Sequence, residues 1–438
     1  MATTYLTRTA TANNNSVGKW TFSCWIKRHK LGVETNIISF YSTGSYRSAL
    51  RFDSDDKVRF YEVWNGSTIV AKVTNRLFRD TNAWYHLVLA VDKTVSSPST
   101  QIYVNGEAIT SWSTDSDYTQ NESGKFNDAE PIYINAESSV NGGTNVQDIS
   151  MSHVHFVDGT TYAASDFGST DSTTGEWKIN TSPTVTYGTN GFFILKDGNS
   201  VTDQSGNSNN FTVAAGTLTN TEDCPSNVFA TWNALDNYYA SATLTNGNTK
   251  VATNSSAYSA TLTSLGASSG KYYAEFKLID KGSGYCQIGI KGKQPTSTSD
   301  GVGAGSDGLA YRKDGYKVLN GSSSTYGTSY DNNDIIGIAM DLDNNRLFFS
   351  KNGTFQDSGD PTSSTGAITI PTSSSGFYFM GISDEHNNGT NTWEANFGNG
   401  YFGTTAISSE GTNASGIGKF EYDVPTGYTA LSTKGLNE

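Results

Sequence analysis

The chain is poor in charge, in cysteine and in long apolar runs. Only 16% of its 438 residues are charged, against about 25% in average soluble proteins. Its three cysteines are too few for a disulfide framework, and no stretch approaches the length of a membrane span. The net charge of −13 comes without a basic stripe, so phosphates would be repelled. We therefore expect neither nucleic-acid binding nor membrane insertion.

Aromatic residues and small polar residues are abundant instead. The chain has 24 Tyr, 21 Phe and 8 Trp, enough for well-buried cores. Its polar residues are mainly Gly, Ser, Thr and Asn, a composition common in proteins that work outside a cell. The amino terminus nevertheless lacks the apolar run of a signal peptide. This combination suggests a particle that assembles in the cytoplasm of a cell and is released by lysis.

Alternating apolar residues and Asn-Gly turns predict an all-β fold. The segments 101–110 (QIYVNGEAIT) and 345–354 (NRLFFSKNGT) each place Asn-Gly between two strands, which favours a type I′ hairpin turn. We expect two antiparallel β-sandwich (jelly-roll-type) domains in series, at residues 1–200 and 228–438, joined by a linker at 201–227. The apolar block 191–195 (GFFIL) is expected to add a strand to the first domain, and 160–167 to hold one short helical turn.

Two family resemblances support this division. Residues 16–158 resemble laminin G-like, concanavalin A-type domains, through 20–28 (WTFSCWIKR), 80–92 (DTNAWYHLVLAVD), 101–106 (QIYVNG) and 151–159 (MSHVHFVDG). Residues 271–398 resemble a SPRY domain, through 308–321 (GLAYRKDGYKVLNG), 334–353 (DIIGIAMDLDNNRLFFSKNG) and 393–402 (WEANFGNGYF). The two in series are similar to virion structural proteins of marine bacteriophages, including cyanophages. That resemblance implies a virion location.

No catalytic constellation stands out in the sequence. Glucanases of the concanavalin type need paired carboxylates on one strand, typically E-x-D-x-x-E, and no segment matches. Asp341 and Asp343 share a strand face but precede a hairpin, where a structural role is expected. We predict no enzyme activity and no required cofactor.

Two sets of residues are candidate metal ligands. His153 and His155 lie two apart on one strand, but a third zinc ligand is lacking nearby. Calcium stays open, because laminin G-like domains often bind one ion at a rim. Solvated turns are the simpler interpretation of the candidate oxygens, which belong to Asp53, Asp55, Asp56, Asp115 and Asp117.

Loops remain as the candidate binding sites. Sugar recognition needs an aromatic face beside amides or carboxylates, and Tyr61, Trp64 and Asn65 lie together near a predicted hairpin end. In the second domain the SPRY resemblance implies a ligand surface built by loops. In this chain, the residues that the resemblance implies for that surface are Tyr311, Arg312, Asp384, Glu385, His386 and Asn388.

The expected function is that of a non-enzymatic virion protein: a fibre, spike or capsid decoration. Its expected partners are other virion proteins, a host cell-surface glycan and further copies of itself, with a trimer as the natural guess. Two alternatives stay open. One is a polysaccharide-degrading enzyme on the concanavalin-like domain, and the other is a purely structural virion component without a ligand.

Overall fold

The structure is a computed structural model that describes residues 4–13, 18–139, 143–196, 198, 200–236, 242–254, 259–295, 300–384 and 389–438. The chain divides into two compact units, residues 1–220 and residues 221–438. Strands dominate both units, and the described part of the chain contains one α-helix of four residues, Ala164–Phe167 (α1), and one 3-10 helix, Gly435–Asn437. Within the described residues, no helix has the length and apolar character needed to cross a lipid bilayer.

Unit 1 is built from sixteen strands among the described residues. They are β1 Tyr5–Thr9, β2 Lys19–Arg28, β3 Thr35–Thr43, β4 Tyr46–Phe52, β5 Lys57–Trp64, β6 Ser67–Leu77, β7 Tyr85–Asp92, β8 Ser99–Val104, β9 Glu107–Ala108, β10 Trp112–Ser116, β11 Pro131–Ile134, β12 Ile149–Asp158, β13 Gly168–Thr170, β14 Trp177–Ile179, β15 Phe192–Ile194 and β16 Thr212–Ala215. An eight-stranded sheet has the order β10-β6-β5-β4-β3-β11-β1-β16, and a six-stranded sheet has the order β15-β12-β2-β7-β8-β9. β13 and β14 pair separately.

Unit 2 repeats this construction with seventeen strands in the part that the structure describes. They are β17 Thr243–Thr245, β18 Lys250–Ala252, β19 Ala260–Leu262, β20 Lys271–Asp280, β21 Cys286–Lys291, β22 Gly308–Arg312, β23 Tyr316–Leu319, β24 Ser322–Thr325, β25 Ile335–Asp341, β26 Arg346–Lys351, β27 Thr354–Phe355, β28 Ile368–Thr369, β29 Phe379–Asp384, β30 Thr392–Asn396, β31 Tyr401–Phe402, β32 Thr405–Ala406 and β33 Thr429–Ala430. The larger sheet runs β17-β18-β30-β20-β25-β26-β27, with β28 beside β26 and β33 beside β20. The facing sheet runs β19-β29-β21-β22-β23-β24.

Each unit has its own apolar core between its two large sheets. In unit 1 the Trp20 ring stacks on Phe126 at 4.0 Å, among buried residues from both sheets. In unit 2 Trp232 and Phe276 lie in one cluster with the inner residues of β21, β22 and β25. Every second residue of the strands points inward, because side chains alternate across a pleated sheet. The all-β fold of two sandwiches in series is therefore confirmed.

The predicted hairpin turns are present. Asn105 and Gly106 have φ angles of 50° and 85°, and Asn352 and Gly353 have 48° and 80°, as a type I′ turn requires. The block 191–195 contains β15, which pairs with β12 as an extra strand at the sheet edge. The expected helical turn is α1.

The expected linker at 201–227 is wrong. Residues up to 220 belong to unit 1, and β16 pairs with β1 through Leu6 and Val213. Phe211 is only 3% exposed, so it anchors the preceding polar loop to the core. Residues from 221 onward belong to unit 2, where Asp223 accepts a hydrogen bond from the Phe229 N–H at 2.9 Å. A segment that is polar in composition therefore folds, because one aromatic residue and an edge strand anchor it.

Candidate functional site

A hairpin end in unit 1 brings aromatic and polar side chains together. β5 ends at Trp64 and β6 begins at Ser67, with Asn65 and Gly66 between them at φ angles of 49° and 80°. This is a type I′ turn. The Gly66 N–H donates to the Ser45 carbonyl at 3.0 Å, which ties this turn to the hairpin turn between β3 and β4. Trp64 is thereby held beside Tyr46, the first residue of β4.

We call Tyr46, Trp64, Asn65 and Lys125 the Trp64 rim. The Tyr46 and Trp64 rings meet edge-on, with centroids 5.3 Å apart, and the Tyr46 hydroxyl donates to Asn65 Oδ1 at 3.2 Å. The Lys125 ammonium lies 5.6 Å from the Trp64 ring centroid. Trp64 and Tyr46 are half-buried and Asn65 is exposed. The rim therefore offers an aromatic surface, an amide and a cation to solvent.

Two carboxylates fix the cation of the rim. Lys125 Nζ pairs with Asp128 at 2.9 Å and with Glu130. Burial alone would lower the pKa of Lys125, but the hydrogen bonds to Glu130 and Asp128 outweigh burial and raise that pKa above its ordinary value. Lys125 is thus cationic at neutral pH, with acceptor oxygens next to it. Donors and acceptors at the edge of an aromatic ring are the groups that bind sugar hydroxyls while the ring contacts sugar C–H groups.

Tyr61 does not join the rim, contrary to expectation. It lies three residues before Trp64, so the two side chains point to opposite faces of β5. Tyr61 is 8% exposed, and its hydroxyl donates to Glu137 at 2.9 Å. Burial, followed by the charge of Glu137, raises the pKa of Tyr61 to about 12. Sequence proximity placed it with Trp64, but strand alternation separates them.

In unit 2 the structure separates the expected site residues as well. Tyr311 is fully buried in the core and donates its hydroxyl to the Thr328 carbonyl, so it is not a surface ligand residue. Arg312 follows it and points to the other face of the sheet. Asp384 is 1% exposed at the end of β29, where one oxygen accepts the Ser259 N–H at 3.1 Å, and burial raises its pKa to about 6. Glu385, His386 and Asn388 lie outside the described residues.

Arg312 does form a surface cluster, with residues that the sequence reasoning missed. Its guanidinium lies 4.5 Å from the Tyr285 ring centroid and 5.4 Å from that of Tyr316. Both tyrosines are exposed, at 44% and 39%. Arg312 also donates two hydrogen bonds to Asp314, at 2.9 and 2.8 Å. We call Tyr285, Arg312, Asp314 and Tyr316 the Arg312 face.

The charge of the Arg312 face is balanced internally. Partial burial alone would raise the pKa of Asp314, but hydrogen bonding to Arg312 outweighs burial and holds it below its ordinary value. The ion pair therefore persists to low pH. Hairpin register could have revealed the face, because Tyr311 pairs with Lys317 and so places Arg312 opposite Tyr316. The register of β4 against β5, in which Arg47 pairs with Val63, likewise points to Tyr46. Lys125 carried no comparable signal.

Comparison with known families matches each unit separately. Residues 2–147 match the concanavalin A-like lectin/glucanases superfamily in its laminin G form, and residues 271–366 match the SPRY domain. The chain therefore carries a laminin G-like domain followed by a SPRY domain. The Trp64 rim lies within the laminin G-like domain, and the Arg312 face lies within the SPRY domain.

Solved structures are similar to parts of the chain. The SPRY domain of human HERC1 is 19% identical, covers 35% of this chain and 91% of its own length, and gives a TM-score of 0.29. Another human SPRY domain is 17% identical, covers 35% of this chain and 94% of its own, and gives 0.26. The heptameric SAP-like pentraxin of Limulus polyphemus is 15% identical, covers 37% of this chain and 72% of its own, and gives 0.28.

The carboxylates weighed as calcium ligands in the laminin G-like domain are held by basic side chains. Asp53 pairs with Arg51 at 2.8 Å, Asp55 with Lys57 at 2.8 Å and Asp56 with Arg28 at 3.1 Å. Asp115 and Asp117 share Lys72. Among the described residues, no group of three or more His, Cys, Asp or Glu side chains is placed to hold a metal ion. The arrangement of these aspartates is that of ion pairs.

His86 and Asp341 are held by structural contacts, and for Asp341 this is the role expected from the sequence. His86 is buried between Ser23, at 2.9 Å, and the Trp177 indole N–H, at 3.0 Å, and burial lowers its pKa to about 3. In the SPRY domain, Asp341 is buried, pairs with Lys271 at 3.1 Å and accepts the Asn344 N–H at 3.0 Å. Asp341 therefore closes the hairpin between β25 and β26.

Proposed function

We propose that this chain is a non-enzymatic phage virion protein, a fibre, spike or capsid decoration, that binds host-surface carbohydrate through the Trp64 rim. The observation that carries the proposal is a half-buried tryptophan at a hairpin end, with an exposed amide and a fixed ammonium beside it. A sugar ring stacked on Trp64 would meet Asn65 and Lys125 at its edge. The charge-poor, amide-rich composition of the chain is in keeping with a surface that works outside a cell.

Such a site is weak in one copy. A sugar site of millimolar affinity corresponds to about 4 kcal/mol, and multivalent display raises effective affinity by roughly 10²–10⁴. We therefore propose that the protein acts as a homo-oligomer, with a trimer as the simplest arrangement for a fibre.

The Arg312 face is proposed to contact other virion proteins. Tyrosine and arginine are enriched in the energetic centres of protein interfaces. Here two exposed tyrosines flank a guanidinium whose orientation is set by Asp314. The two domains would then divide the work, with carbohydrate bound by the first and virion attachment made by the second.

The test of carbohydrate binding is a glycan array probed with the full chain and with Trp64→Ala. We expect neutral glycans to be captured by the wild type and lost with Trp64→Ala. Trp112→Ala is the matched control, because Trp112 is also half-buried in the same sheet with a lysine 5.5 Å from its ring. Trp112 pairs with Thr74 of β6, and Trp64 pairs with Ser67 of the same strand. These two partners are seven residues apart, so the two tryptophans lie roughly 23 Å from each other.

The outcomes separate the proposal from its alternatives. A blank array together with binding to purified particles that lack the protein would support a purely structural component instead. Release of reducing ends from a captured polysaccharide, abolished by one Asp or Glu substitution, would establish an enzyme. Equal losses in the Trp64 and Trp112 variants would refute the rim as the site.

A further inference from the structure

An open notch lies at the edge of the eight-stranded sheet of unit 1, where β1 continues past the start of β16. Thr7 is the last residue of β1 paired with β16, through Thr212, while Arg8 and Thr9 continue along β11 on the other side. The space left beside them is a cavity of about 460 Å³. Its lining consists of four threonines, one serine, two asparagines and Arg8, with no carboxylate and no apolar side chain.

Arg8 is the unusual member of this lining. It is 9% exposed, and among the described residues no carboxylate lies within ion-pairing distance of its guanidinium. Asp203 acts on it only from a longer range, while burial lowers the pKa of Arg8. Buried charges are ordinarily paired. Among the residues that the structure describes, the Arg8 guanidinium therefore has no carboxylate in direct contact.

Both carboxylate oxygens of Asp203 are already occupied by hydrogen bonds. One of its oxygens accepts the N–H groups of Phe193 and Ser205, at 2.8 and 2.9 Å. Its other oxygen accepts the Ser205 hydroxyl and the Asn209 N–H, both at 2.8 Å. These bonds hold the carboxylate within its own loop, so it is a structural acceptor.

The guanidinium is also fixed in orientation. Its Nη1 donates to the Asn190 carbonyl at 3.2 Å, and its Nη2 donates to Asn209 Oδ1 at 2.5 Å. The Asn209 side chain is itself held, since its Nδ2 donates to the carbonyls of Thr189 and Gly191 at 2.9 and 2.7 Å. An arginine side chain has five N–H donors, so three remain after these two bonds. Orientation of this kind is established before any ligand arrives, which lowers the cost of binding.

The rest of the lining offers further hydrogen-bonding groups. The hydroxyls of Thr9, Thr11 and Ser208 make no side-chain hydrogen bond to another residue that the structure describes. Asn210 uses its Oδ1 to accept the Asp203 N–H at 2.8 Å, which leaves its amide N–H groups for a ligand. The notch thus combines one fixed cation with free hydroxyls and an amide, and it lacks aromatic lining.

We propose that this Arg8 notch binds a carboxylate-bearing sugar, such as a uronic acid residue of an acidic polysaccharide. The planar carboxylate matches the guanidinium fork, and the hydroxyls of the sugar match the threonine, serine and asparagine groups. The ligand class rests on the proposed carbohydrate-binding function, but the site is separate from the Trp64 rim. Because the chain carries a net charge of −13, general attraction cannot account for binding of a polyanion.

The test is calorimetric titration of the full chain with tetragalacturonate, with the same oligosaccharide methyl-esterified at its carboxyls as the ligand control. We expect the free acid to bind and the ester to bind at least tenfold more weakly. Arg8→Gln should weaken binding of the acid at least tenfold. Arg59→Gln, at a half-exposed arginine on the same sheet, should leave binding unchanged. Equal affinity for acid and ester, or full affinity in Arg8→Gln, would overturn the proposal.

A second variant covers the case in which Arg8→Gln fails to fold. Thr9→Val combined with Ser208→Ala removes two free hydroxyls that hold no other side chain, and we expect a several-fold loss of uronate binding. Unchanged affinity in that folded variant would overturn the proposal. Trp64→Ala distinguishes the two sites: retained uronate binding beside lost neutral-glycan binding supports both, whereas lost uronate binding refutes the notch alone. The protein could also bind uronate in an Arg8-dependent way and capture no neutral glycan. That outcome would refute the Trp64 rim and leave the Arg8 notch supported.

Discussion

In each unit one buried glutamate holds a long polar segment in place, but the charged groups around that glutamate differ between the two units. In unit 1, Glu62 on β5 accepts the consecutive N–H groups of Lys125 and Phe126 and the Tyr118 hydroxyl. In unit 2, Glu275 on β20 accepts the consecutive N–H groups of Glu421 and Tyr422, each at 2.8 Å. Both glutamates have no exposed surface, and burial raises the pKa of both.

The difference lies in the nearby charge. The buried Lys93 attracts Glu62, and burial lowers the pKa of Lys93 in turn. Within the described residues, no lysine or arginine pairs with Glu275, whose further bonds come from Tyr273 and Asn396. The charge of Lys93 therefore offsets part of the effect of burial on the pKa of Glu62, whereas only neutral donors offset the effect of burial on Glu275. We therefore expect the contacts of the buried glutamate to depend on pH more strongly in unit 2 than in unit 1.

Breaking the Glu62 contacts should have the largest effect. Glu62→Ala leaves two N–H groups and one hydroxyl without their acceptor and removes the attraction on Lys93. We expect the unfolding free energy of unit 1 to fall by about 4 kcal/mol. Denaturant unfolding of the full chain, resolved into its transitions, measures this. Glu107→Ala, at an exposed glutamate of the same unit, should change stability by less than about 0.5 kcal/mol.

Breaking the Glu275 contacts should cost somewhat less. Glu275→Gln turns an amide NH₂ toward donors, so at least one backbone N–H is left without an acceptor. We expect unit 2 to lose about 3 kcal/mol and the segment 420–431 to become more sensitive to proteolysis. A loss larger than that of the Glu62 variant would contradict the idea that the buried Lys93 makes unit 1 the more dependent of the two.

Changing pH should sharpen the comparison without any mutation. Burial raises the pKa of Glu275 from its ordinary 4.5 to about 7, so the folded state holds the proton more tightly than the unfolded state. This stabilisation is complete below pH 4.5 and is lost as pH rises through about 7. Between pH 5 and pH 7.5 we expect unit 2 to lose about 2 kcal/mol from this group. In Glu275→Gln the dependence should shrink to the part that Asp384 contributes, because burial raises the pKa of Asp384 to about 6 and acts in the same direction. An unchanged dependence in that variant would assign it to groups other than Glu275.

Removing one hydroxyl from each cluster should have the smallest effect. The Tyr118 hydroxyl lies 2.5 Å from Glu62, and the Tyr273 hydroxyl lies 3.2 Å from Glu275. We expect Tyr118→Phe to cost about 2 kcal/mol and Tyr273→Phe about 1 kcal/mol, because the shorter hydrogen bond is the stronger. Thermal unfolding at pH 7 compares the two. The reverse order would contradict this ranking of the two bonds by length.

Sequence pattern located most of the strands of both sandwiches. Alternation in 20–28 and 271–280 shows which side chains face the core, and paired φ-positive residues at Asn105-Gly106 and Asn352-Gly353 close the hairpins. Many of the short strands were not predicted, and β1 and β16 are two of them. β1 and β16 pair with each other across about 200 residues, which local composition does not reveal.

The candidate site was only partly predictable. Trp64 and Asn65 follow from the hairpin pattern, and Arg312 from the SPRY resemblance. Tyr46 could have been reached from the register of β4 against β5, in which Arg47 pairs with Val63. Lys125 could not have been predicted, because it lies in an irregular loop that is held by hydrogen bonds to Glu62. Tyr61 and Tyr311 were assigned to the wrong face, since nearness along a strand does not imply a shared face.

By itself, the sequence determined the class of fold, the position of the hairpins and the two-domain order, because side-chain period and turn residues act over a few positions. Only the tertiary structure decided which distant groups meet: Lys125 with Trp64, Asn209 with Arg8, and residues 421 and 422 with Glu275. These contacts depend on strand order and on which buried acceptor an irregular segment reaches. Both are set by the packing of the whole unit and not by any local preference.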